Sequence, residues 1–81
     1  MEKEYVIRIN GFDLGQLIDG LEVRYSAWRD TAAYLRSGEM PHAFFVAEEC
    51  HDPVEAERLA AHYERIMGSL MEQQREQDKP S

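Results

Sequence analysis

Cys50 and His51 stand side by side in the chain, flanked by Glu48, Glu49, Asp52, Glu55 and Glu57, with His42 and His62 further out on either side. These residue types offer three chemistries: zinc binding, a thiolate activated by an imidazole, and a purely electrostatic carboxylate surface. Zinc requires donors spaced so that they converge, as in C-x-x-C or H-x-x-x-H pairs, and no such pair occurs here. Adjacent Cys and His side chains diverge on an extended chain. No metal ligand set and no cofactor are therefore expected, and Cys50 reads as a small residue packed at a strand end. A Cys/His nucleophile needs an orienting partner and an oxyanion-stabilising motif, and neither accompanies the pair, so the chain is not expected to be an enzyme. Gly11, Gly15 and Gly20 match neither G-x-G-x-x-G nor G-x-x-x-x-G-K-[ST], and Asp13 and Asp19 among them repel phosphate. The carboxylates remain.

Their distribution is uneven. The formal net charge is −7, yet residues 1–38 carry six acids against five bases and residues 65–81 carry three against three. Residues 39–64 hold seven acids against Arg58 alone. Such a segment attracts basic surfaces and repels nucleic acid, membranes and anionic metabolites. Asp52 and Glu55 have a bland explanation, since carboxylates at a helix start are stabilised by its dipole by roughly 0.3–1 kcal/mol each. Glu48, Glu49 and Glu57 do not. Two accounts stand together: a solvated, structural face, and a partner-binding surface made of Glu48, Glu49, Asp52, Glu55 and Glu57.

Eighty-one residues make one domain, near the size at which a single apolar core supplies only about 3–5 kcal/mol. A hydrophobic content of 43% is too high for a wholly disordered chain. Met1 opens on Glu2, Lys3 and Glu4 without a leader-like apolar stretch, and one cysteine cannot form an internal disulfide, so a cytoplasmic protein is expected.

The elements that position these groups follow from periodicity. Tyr5, Ile7 and Ile9 alternate with Val6, Arg8 and Asn10, which predicts a half-buried strand closed by a turn at Asn10-Gly11. Asp13 followed by Gln16 reads as a capping box. Leu14, Ile18, Leu21, Tyr25, Trp28, Ala32 and Leu35 then recur every three or four residues along one face of a long helix that Ser37-Gly38 stops. Ala43 to Ala47, apolar and bounded by prolines, predicts a second strand with Phe45 inward. Asp52-Pro53 opens a second helix, with an apolar stripe of Ala56, Leu59, Ala60, Tyr63, Ile66, Met67 and Leu70. From about Gln73 no apolar anchor remains. The expected organisation is one domain over 1–74 and a flexible tail over 75–81. Tyr34 with Arg24, Arg29 and Arg36 reads as solvated helix surface, with a contact patch as the alternative.

Together these elements predict an α/β domain of the α+β kind: a two-layer β-α-β-α unit with two long helices on a short sheet. A two-stranded sheet has open edges, so completion by dimerisation into a four-stranded sheet is expected. The competing architecture is a long antiparallel helical hairpin with the strand-like segments lying along it.

The phrases Leu17-Ile18-Asp19-Gly20-Leu21, Trp28 to Leu35 and Glu48 to Glu57 resemble those of short uncharacterised proteins of bacteria, phages and mobile elements. In size, acidity and lack of a catalytic motif the chain is also similar to the anti-CRISPR and other anti-defence proteins of phages. That resemblance carries over no individual residue. It implies a mode of action, in which a compact acidic protein occupies a basic nucleic-acid channel of a CRISPR effector complex without binding nucleic acid or membrane itself. The alternative is a cytosolic housekeeping or regulatory homodimer whose acidity serves solubility.

Overall fold

Asn10, expected in a turn, is the N-cap of the first helix. The computed structural model of the chain describes residues 3–42 and 47–79. Helix α1 spans Gly11–Ser37, and the Asn10 side-chain oxygen accepts the Asp13 backbone N–H at 2.7 Å while its amide donates to the Asp13 carboxylate at 3.0 Å. The cap therefore closes three residues earlier than the Asp13/Gln16 box, because an Asn side chain, the same length as Asp, reaches the free amides of the first turn equally well. At the other end Gly38 takes a left-handed conformation, φ 76°, and donates its N–H to the Tyr34 carbonyl, the single bond of an αL-type stop.

Helix α2 spans Pro53–Asp78. Asp52 caps it, accepting the Val54 N–H at 2.9 Å, and Pro53 occupies the first turn, where no amide hydrogen is needed. The helix continues past its last core-facing position, carried by side-chain hydrogen bonds such as Gln73 to Ser69 and Lys79 to Glu76. Part of the expected 75–81 tail is thus helical as far as Asp78.

The two helices pack as an antiparallel hairpin, and among the described residues there is no strand. The β-α-β-α expectation is thereby corrected to an all-α fold, the architecture named as its competitor, and the four-stranded dimer sheet built on it falls as well. Residues 3–9 belong to no regular element and form no ladder with any described residue, and Val6 is 99% exposed. Alternation gave them strand character, but a strand exists only through ladder bonds to a neighbour. Four of the five residues of the second expected strand, Ala43 to Val46, lie outside the described residues, Phe45 among them; Ala47 is in no regular element.

The apolar stripes face each other. Trp28, Ala32, Ala56 and Ala60 are buried, and Tyr25, Leu35, Leu59, Tyr63 and Cys50 pack around them. Alanines at the centre of α2 let the helices approach closely, so the core is thin and one residue deep. Thr31, fully buried, is its polar member. Its hydroxyl donates to the Ala27 carbonyl at 2.8 Å and accepts the Glu48 N–H at 2.9 Å, which ties the connecting segment back onto α1.

Candidate acidic interaction surface

Where α1 ends and α2 begins, the described residues 38–42 and 47–52 place part of the acidic segment at one end of the hairpin, and the rest runs along α2. Its carboxylates do not form one continuous cluster. Glu48 is held at 3.0 Å by Arg24, while its own backbone is pinned by Thr31, and the Arg24 guanidinium also lies 5.9 Å from the Tyr63 ring centre. Glu57 accepts a hydrogen bond from the Arg36 Nε, and that bond holds its carboxyl below the usual carboxylate range while raising the arginine. Asp52 is occupied as the N-cap. Glu49 and Glu55 are exposed and make no hydrogen bond or ion pair among the described residues.

Helical geometry separates the rest. Glu55 and Glu57 lie two residues apart, about 200° around α2, and so project to opposite sides of it. Glu57 therefore joins the Arg36 flank, whereas Glu55 stays with Glu49, Asp52 and Glu39 at the turn end, all four exposed. The structure thus brings three of the five expected binding residues, Glu49, Asp52 and Glu55, to one end and gives Glu48 and Glu57 intramolecular partners.

Arg24 and Arg36 pair with different carboxylates, and Arg29 lies over the Tyr25 ring at 5.3 Å. Between α1 and α2 runs an open groove of about 380 Å³ with a floor of Tyr25, Ala32, Ala33, Ala60 and Ala61. Arg29 and Arg36 edge it on α1, Glu57 and Glu64 on α2. Sequence reasoning passed over this groove and over Thr31. The one visible signal was the seven-residue spacing of Arg29 to Arg36 and of Glu57 to Glu64, two helical turns in each case.

The candidate nucleophile and metal-binding residues are scattered. The Cys50 thiol is half-buried against the core and donates to the Asp52 carbonyl at 3.3 Å, in a loop rather than at a strand end. His51 is exposed; His62 Nδ1 lies 2.7 Å from Arg65 Nη2, and His42 Nε2 3.1 Å from the Asp30 carboxylate. Among the described residues no three His, Cys, Asp or Glu side chains converge to hold a metal ion, and no helix is long and apolar enough to cross a membrane. Comparison with protein-family models, with curated proteins and with solved structures finds no match to this chain.

Proposed function

We propose that this chain is a non-enzymatic, cytoplasmic interaction protein whose acidic turn end engages a basic protein surface, acting as an anti-CRISPR inhibitor that occupies a nucleic-acid channel of a CRISPR effector complex. The observation that carries this is the set Glu39, Glu49, Asp52 and Glu55, exposed together where α1 ends and α2 begins. Nucleic-acid channels hold phosphates with Lys and Arg, and the same cations accept carboxylates. Mounted on the end of a packed hairpin, these carboxylates need little ordering on binding, which is the main cost a flexible acidic tail would carry. Their charge disfavours nucleic acid and anionic membranes as direct partners.

The test is competition between the protein and target DNA for a CRISPR effector complex, with Glu49→Lys/Glu55→Lys as the variant. Both positions are exposed and have no ion pair or hydrogen bond among the described residues, so the fold should survive, as circular dichroism would check. Wild type should displace DNA with an affinity that falls as salt rises, and the variant should lose at least about tenfold. A folded variant that competes as well as wild type, or a wild type that never competes, would leave the charge as a solubility device and sink the proposal.

A further inference from the structure

The hairpin is one layer of helices. Its two helices make a single pair, whereas stable domains stack two layers around a core. Its accessible surface is 6919 Å², against about 5,000 Å² for a compact monomer of this size, an excess of roughly 1,900 Å². A standard dimer interface covers about 800 Å² on each partner, less than this whole-chain excess, part of which lies on the exposed Tyr5, Val6 and Ile7. Two of the four buried apolar residues, Ala32 and Ala60, also form the floor of the open groove, so the existing core has solvent directly above it.

From this we infer that the groove face of the hairpin is the interface with a second copy of the same chain, giving a four-helix bundle about a two-fold axis parallel to the helices. The small floor residues Ala32, Ala33, Ala60 and Ala61 allow another helix layer to approach closely. The charges choose the axis. Because the helices are antiparallel and Arg36 pairs with Glu57, Arg29 lies at the level of Glu64, one seven-residue step along each helix. A two-fold axis parallel to the helices keeps that level and lays α1 of one copy over α2 of the other. Arg29 then faces the partner's Glu64, Arg36 faces the partner's Glu57, and every neighbouring helix pair is antiparallel. An axis across the helices lays α1 on α1, setting Arg29 against the partner's Arg36 and Glu57 against the partner's Glu64. The four rim charges sum to zero, so this face lets two chains of net charge −7 meet without like charges opposed. Glu64 makes no ion pair within the chain among the described residues, which leaves it available to the partner.

Sedimentation equilibrium at micromolar concentration should give the mass of a dimer. Arg29→Glu should raise the dissociation constant by at least about tenfold, as should Glu64→Arg, and the double exchange should restore the wild-type value. Arg29 and Glu64 are both exposed, and helicity measured alongside shows that each variant remains folded. A monomeric wild type overturns the interface. A dimer that Arg29→Glu tightens, by relieving an Arg-on-Arg contact, overturns the axis, and one that neither single exchange affects places the contact on another face.

Discussion

Replacing Thr31 by valine probes the contact that joins the turn to the helical layer. Valine preserves the volume of a fully buried side chain but removes a hydroxyl that donates to the Ala27 carbonyl at 2.8 Å and accepts from the Glu48 N–H at 2.9 Å. The Ala27 carbonyl sits inside α1 and keeps its backbone partner, so its loss is small. The Glu48 N–H bond is part-buried and is that amide's one hydrogen bond among the described residues, so stranding it costs about 1–3 kcal/mol. The expected penalty is therefore about 2 kcal/mol, a large share of the roughly 3–5 kcal/mol that a core this small provides. Thr31→Ser is the control: it keeps both hydrogen bonds and removes one buried methyl, at about 1 kcal/mol. For a chain of this length 1 kcal/mol moves the melting temperature by about 4–8 °C, so the two variants separate clearly in thermal melts followed by circular dichroism. Trp28 fluorescence reports whether the core beside Thr31 loosens at the same point. If valine leaves the melting temperature at the wild-type value, the hydroxyl contributes nothing and the turn is not held by this bond.

Two further perturbations follow from the backbone and the flank ion pair. Gly38→Ala should destabilise by about 1 kcal/mol because φ is 76° there, whereas Gly20→Ala, inside α1 with open space around its Cα, should stabilise by about 0.5–1 kcal/mol; equal effects in urea titrations would contradict the assigned helix boundary. The Arg36 hydrogen bond lowers the Glu57 pKa in the folded chain, so its stabilisation is full above the ordinary carboxylate range and disappears as pH falls through the depressed value. Glu57→Gln should thus lower the urea midpoint at neutral pH, the difference from wild type vanishing in acid and shrinking with salt, when both are compared at one protein concentration. A difference that is constant with pH would show that the pair contributes nothing through charge.

Both helices were legible in the residues themselves. The recurrence from Leu14 to Leu35 and from Ala56 to Leu70 depends only on 3.6 residues per turn, and the stops and starts at Gly38, Asp52 and Pro53 depend only on local backbone chemistry, so each appears in the folded chain where it was expected. Strand pairing is a different kind of property. Tyr5 to Ile9 alternates like a strand, but whether it becomes one depends on a neighbour contributed by distant chain, and none of the described residues pairs with it. The same holds for the charges. The sequence alone established that residues 39–64 are acidic, because charge is a matter of composition. Tertiary structure alone decided that Glu48 and Glu57 are partnered by Arg24 and Arg36, 24 and 21 residues away, and that Glu49, Asp52 and Glu55 stay at the turn end. Ion pairs between antiparallel helices are set by how the hairpin closes, and so is the groove that lines up Arg29 with Glu64: in both cases the partners are neighbours only after the chain has turned back on itself.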